Sequence, residues 1–307
     1  MNAVTSRDER VALKPRSERM PVAHRWLNLG MSFVSLVWIL PMLIVVSASL
    51  TDETALAKNG FTLWPSQFSL AAYRFLFADP SQLLRAYGVS LLVTSAGTIL
   101  SLFVMSLIAY PLSRPEFKYR NVVTFFVFFP MLFNGGLVAS YIVNTRYYHL
   151  NDSLFALFLP ALVVSFYVLL LRTFFSSLPN EVIEAARIDG ASEWQTFFRI
   201  VLPLSKPALA TVGLFLVLMF WNDYFQALIY INTQEKSPLQ LLLFNVLNNA
   251  EVVARLQTQT AQVLNAQAPT QSVRMAMAVL ATGPVAFAFL YLQRYFVRGL
   301  TVGSIKG

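Results

Sequence analysis

Few residues in this 307-residue chain are equipped for chemistry, and where they fall narrows what they can do. Cysteine is absent and histidine occurs only at His24 and His149. That excludes thiolate nucleophiles, disulfides and thiolate metal sites, and it leaves little for a histidine metal centre. No glycine is followed by lysine, so a phosphate-cradling GxxxxGK[ST] loop cannot form. Two places remain. One is a lone carboxylate, Asp223, set in an apolar run beside Trp221, Asn222 and Tyr224. The other is a polar segment, 178–207, that carries Glu181, Glu184, Arg187 and Asp189 ahead of Gly190 and an aromatic stretch.

The elements that must position these groups are set by composition. The chain is 56% hydrophobic and 12% charged, against about 25% charged in an ordinary soluble domain. Helices need roughly 20 residues to cross about 30 Å of hydrocarbon. Six apolar runs of about that length stand out, at 27–50, 87–112, 122–143, 153–171, 208–231 and 275–292. Phenylalanine is spread through several runs without strand-like alternation, which favours a helical bundle over a membrane barrel. The formal charge of +8 is not a nucleic-acid signature here. Sixteen of the 23 lysines and arginines lie before Trp26, at 113–121, at 172–207 or from Arg294 onward. The positive-inside rule places those segments, and both termini, in the cytoplasm. Ser47, Ala48 and Ser49 superficially resemble a signal-peptide cleavage site, but the run before them is too long for a secretory h-region, and an uncleaved helix is expected.

The segment 178–207 has more internal order than a connector needs. Pro179 suits a first helical position, Glu181 and Glu184 complement a positive helix start, and Arg187 lies near its negative end. Gly190 supplies a helix stop. Ser192 and Gln195 have capping-box spacing, and Trp194, Phe197, Phe198 and Val201 follow at i, i+3, i+4 and i+7, before Pro203 and Pro207. Two short helices with a turn are expected. They would either lie on the bilayer headgroups or present the small side chains Ala185 and Ala186 to a groove on a soluble partner.

EAARIDGAS followed by FFRIVLP resembles the EAA loop of permease subunits in binding-protein-dependent ABC importers, with Glu184, Ala185, Ala186, Asp189, Gly190 and Ala191 on the motif. WNDYFQALIYIN at 221–232 and QRYFVRGLTVGSIKG at 293–307 look like the maltose-type sugar permeases that pair as the second subunit. FNGGLVASYIV, LLLRTFF and SVRMAMAVLAT are most similar to the subgroup importing oligosaccharides cut from polysaccharides, including acidic ones such as alginate or pectin fragments. The resemblance implies an all-α membrane protein of six transmembrane helices in the bacterial inner membrane. It also implies a noncatalytic role beside a second permease, a cytoplasmic ATPase dimer that binds ATP and Mg, and an extracytoplasmic solute-binding protein. This chain itself would bind no cofactor.

On this reading 1–26 is a cytoplasmic arm, 27–297 the permease domain with coupling loop 178–207 and extracytoplasmic loop 232–271, and 298–307 a cytoplasmic tail. A sugar path would use Asn222 and Asp223 for hydroxyls and Trp221 or Tyr224 for stacking, although water or an interhelical hydrogen bond would equally satisfy Asp223. Pro130, Asn134, Gly135 and Gly136 invite a kink in the third run, serving either a cavity or close packing. Ser90, Thr94 and Thr98, at four-residue intervals, read as a packing face. A proton-coupled carrier that titrates Asp223 is the alternative, weakened by the absence of a second intramembrane ionisable partner.

Overall fold

The computed structural model describes residues 22–77, 80–246, 248 and 271–302. The N-terminal arm before residue 22, most of the expected extracytoplasmic loop and the last five residues lie outside the described residues. The described residues are predominantly helical, and extended pairing among them is limited to one antiparallel bridge between Thr51 and Phe68.

Among the described residues, three helices contain uninterrupted stretches long and apolar enough to cross a bilayer. They are α1 (Val22–Ser49), α4 (Pro80–Ser113) and the last helix, α14 (Gln271–Val302). The 34 residues of α4 extend about 50 Å, longer than the roughly 30 Å hydrocarbon core is thick. The other expected crossings are bent. The third run divides into α5 (Arg120–Leu132) and α6 (Gly136–Ile142), the latter continued by a π turn, Val143–Tyr147, with an angle of 116° between the halves. The fourth opens as two 3-10 turns, Leu154–Leu157 and Leu159–Ala161, turns by 53°, and continues as α7 (Ser165–Ser176), five residues beyond the expected end. Pro160, which lacks an N–H donor, lies in the second of those turns. The fifth is not one helix over 208–231. It stops at Asn222 at the end of α11 (Lys206–Asn222) and restarts as α12 (Phe225–Tyr230).

The main core lies where α4, α7 and α11 meet, around Met105, Leu112, Val168, Phe175, Val212 and Leu216. Ser90, Thr94 and Thr98 are buried, as a packing face requires. Ser90 Oγ also accepts the Leu239 N–H at 2.8 Å, tying α4 to the helix α13 at residues 239–246. Gly97 allows α11 to approach: a Cβ there would stand 2.9 Å from the Phe220 ring. The small trio Ser47, Ala48 and Ser49 is buried where α1 ends. Ser49 shares a 2.9 Å hydrogen bond with the hydroxyl of Tyr73, on α3 (Ala71–Leu76). Glu53, at the start of α2 (Glu53–Asn59), caps α14 from a distance. Its carboxylate accepts the Gln271 and Ser272 N–H groups, each at 2.9 Å, satisfying two orphan donors of that helix start. By contrast, no residue in the most apolar window of α1 is buried, and neither α5 nor α6 has a buried residue.

Two substitutions check this packing. Gly97→Leu should cost about 1–3 kcal/mol through overpacking, and Glu53→Ala about 0.5–2 kcal/mol through a lost cap. Both should lower the thermal midpoint of the detergent-solubilised protein, and an unchanged midpoint for Gly97→Leu would contradict the close approach of α11 to α4.

Candidate functional site

The segment 178–207 forms the expected pair of helices. Pro179 sits one position outside the first helix, as its N-cap, and α8 runs Asn180–Ile188. It ends in a Schellman motif: Ala191 N–H donates to Ala186 O at 2.9 Å and Gly190 N–H to Arg187 O at 3.0 Å, with Gly190 at φ +78°. Ser192 and Gln195 form the capping box that opens α9 (Glu193–Thr196). A π turn, Phe197–Val201, then leads into α10 (Leu202–Leu204), and the run bends by 77° into α11. The π turn splits the expected apolar stripe. Phe197 and Val201 are buried, whereas Trp194 and Phe198 stay exposed and stack on each other with ring centroids 6.0 Å apart.

Helix α8 has two faces. Ile183 and Ala186 are buried, so Ala186 supports the helix and is not offered to a partner as the sequence reading expected. Glu181, Glu184, Ala185 and Ile188 fall at i, i+3, i+4 and i+7 on the open side, Ile188 being 86% exposed. Asp189 and Gly190 are exposed at the turn and Ala191 is half-buried.

The expected path residues lie at two helix breaks. Asn134 is exposed and its Oδ1 accepts the Gly136 N–H at 2.8 Å, holding the turn in which Gly136 adopts φ +82°. Asp223, half-buried, accepts the Gln226 N–H at 3.0 Å and so starts α12. Asn222 is exposed, its amide donating to Leu218 O at 2.9 Å. Tyr224 is open on one side and stacks on Phe244, centroids 4.9 Å apart. Trp221 stands apart from these. It is buried, and its indole N–H donates to Ala281 O at 2.9 Å, so the ring packs between helices and is not turned to an open surface. The two broken regions meet where Tyr141 stacks on Tyr230, 5.7 Å between centroids, and the Asn144 amide donates to the Tyr230 hydroxyl at 2.8 Å.

What sequence reading missed is the clasp that fixes α8 to the end of α4. Arg187 pairs with Glu193 at 3.0 Å and with Glu116 at 3.5 Å, and the Tyr110 hydroxyl donates to the other Glu193 oxygen at 2.7 Å. Beside them the buried Arg114 donates to Phe175 O at 3.0 Å, its guanidinium 5.3 Å from the Tyr110 ring centroid. A pocket of about 380 Å³ separates Leu107 and Phe117 from Trp194 next to this cluster. Only the turn that begins at Gly190 and brings Glu193 back toward Arg187 was readable; the partners on α4 and the following loop are distant in sequence. Tyr110→Phe should remove about 1 kcal/mol of local restraint and speed trypsin cleavage after Arg187 in membrane vesicles by about fivefold. Unchanged cleavage would mean that the clasp does not restrain α8.

Residues 97–302 match the family described as binding-protein-dependent transport system inner membrane component. Protein LplC of Bacillus subtilis (strain 168) is 40% identical over 274 residues, covering 89% of this chain and 91% of its own length. The polygalacturonan/rhamnogalacturonan transport system permease protein YtcP of the same strain is 37% identical, covering 89% and 94%. A solved bacterial ABC transporter involved in the import of the acidic polysaccharide alginate contains a chain 28% identical to this one; the match covers 92% of this chain and 99% of that one, at a TM-score of 0.76. By the match over residues 97–302, this chain belongs to the family of binding-protein-dependent transport system inner membrane components.

Proposed function

We propose that this chain is one of two different permeases of an inner-membrane ABC importer for oligosaccharides released from acidic polysaccharides. The observation that carries the reading is the open face of α8, where Glu181, Glu184, Ala185 and Ile188 are presented at one end of the bundle. A short, end-stopped helix with a small residue at its centre fits a cleft on a soluble protein. A cytoplasmic ATPase dimer that binds ATP and Mg is the partner on this reading, and both termini lie on its side of the membrane. The relatives handling polygalacturonan, rhamnogalacturonan and alginate support the substrate class.

A second permease is implied by the third span. Its break at Asn134 and Gly135 is exposed, and α5 and α6 bury no residue within this chain. Irregular backbone at membrane depth must be covered by protein or face a water-filled cavity. A partner permease placed against it covers the outer side and completes a path between subunits, into which a solute-binding protein delivers the sugar. Movement of α8 passes through Arg187 and Glu193 to Tyr110 on α4, and the helix breaks at Asn134 and Asp223 are where the spans can change angle. The proton-coupled alternative would use Asp223, one of whose carboxylate oxygens already accepts the Gln226 N–H that starts α12.

Isolation in mild detergent should recover an ATPase and a second permease with this chain, with ATP hydrolysis rising when a sugar-loaded binding protein is added. Uptake that persists without ATP and follows the proton gradient would overturn the reading. Gly190→Pro should abolish sugar-stimulated hydrolysis while leaving the chain in the membrane, because proline cannot adopt φ +78°. Wild-type uptake by that variant would remove α8 from the coupling route.

A further inference from the structure

The end of the bundle opposite α8 carries a trough that neither the fold nor the coupling route uses. Two cavities of about 460 Å³ and 230 Å³ adjoin there and share Gln82 and Gln234. The larger is lined by Asn232, Ser237 and Asn245 together with apolar side chains, including Leu228, Ile231 and Leu241. The smaller adds Arg85 and Glu235. Gln82 and Arg85 are one turn apart on α4, about 40 Å along that helix from Tyr110, so the trough lies at the far membrane face from the clasp.

The walls are held in place. Asp152, in a positive-φ turn, accepts the Asn232 and Thr233 N–H groups at 3.0 and 2.9 Å, the Thr233 hydroxyl at 2.6 Å and the Lys236 ammonium at 2.8 Å. Lys236 first, then Thr233 and Asn232, hold its carboxyl below the ordinary aspartate range. This anchor is therefore fully present above the ordinary aspartate range and is lost only as pH falls through the depressed value. The other wall is tied by the hydrogen bond from Leu239 N–H to Ser90.

Neutral amides and a hydroxyl beside apolar side chains match a pyranose, which offers hydroxyls at its edge and C–H groups on its face. The one cation among the residues lining the trough is loosely held. Arg85 meets Glu235 at 3.4 Å with side chains 59% and 74% exposed, and such a surface pair is worth little. A uronate carboxylate can take over the guanidinium with two parallel hydrogen bonds, the geometry that arginine favours.

We propose that this trough is an entry subsite for a uronate unit of an acidic oligosaccharide, with Gln82, Asn232, Gln234 and Asn245 binding hydroxyls and Arg85 exchanging Glu235 for the sugar carboxylate. It rests on the importer reading but is testable apart from it. The assembled complex in lipid nanodiscs, without binding protein, is titrated with trigalacturonate and with its methyl ester, which keeps the hydroxyls and lacks the charge. Arg85→Gln should weaken the acid by about tenfold and leave the ester unchanged, whereas Glu235→Gln should tighten the acid by about threefold. Equal loss for acid and ester in Arg85→Gln, or no binding of either sugar by the wild-type complex, overturns the subsite. Uptake of trigalacturonate by the same complex with its binding protein and ATP is measured in parallel: intact uptake beside absent binding sinks the subsite alone, and absent uptake sinks the substrate class.

Discussion

Hydrocarbon offers no hydrogen-bond partner to a peptide group, and that constraint governs where this chain can depart from a helix. Three departures within the apolar runs are answered by side chains, two from the same turn and one from across the bundle. Asn134 takes the Gly136 N–H after α5, Asp223 takes the Gln226 N–H after α11, and the Val164 N–H approaches Met105 Sδ at 3.4 Å before α7. Asn134 and Asp223 therefore serve the backbone at these breaks. Asp223 illustrates the consequence: a lone carboxylate in a span reads as a proton carrier or sugar ligand, while its immediate task is to begin a short helix.

Among the described residues the ion pairs lie at the two ends, and the core between them is mainly apolar. At one end Arg187, Glu193, Glu116 and Tyr110 join the loop helices to α4. At the other, Glu53 caps α14 and Asp152 binds the start of the 232–246 segment. Close packing through Gly97 against Phe220 fixes the separation of α4 and α11 between them. Packing of this kind transmits displacement because it resists compression. Helix α4, 34 residues long, runs from the clasp at Tyr110 to the trough containing Gln82 and Arg85.

Local signals in the loop 178–207 were readable because their physics is local. A capping box needs only Ser192 and Gln195, and a Schellman turn needs only a glycine able to take positive φ. Those features appear as spacing predicts, and so does the break around Asn134–Gly136. The stripe of Trp194, Phe197, Phe198 and Val201 misled, since a π turn inserts an extra residue per turn and sends half of the set outward. Trp221 misled in another way. Its place beside Asn222 and Asp223 suggested one shared surface, but neighbours in a helix differ by about 100° in direction, and its indole reaches Ala281 in α14.

The amino-acid sequence by itself determined the class of molecule: apolar runs long enough for a bilayer, basic residues biased to one set of loops, a capped two-helix loop with the EAA pattern, and no phosphate-binding loop. Each of these is a property of contiguous residues, so chain order carries it. Tertiary structure alone decided which face of α8 is free, that Arg187 serves a clasp with Tyr110 and Glu193, that Glu53 caps a helix more than 200 residues away, and that Gln82, Arg85 and Gln234 border one trough. Those pairings depend on the angles at which bent helices cross, and these are fixed by packing among distant side chains.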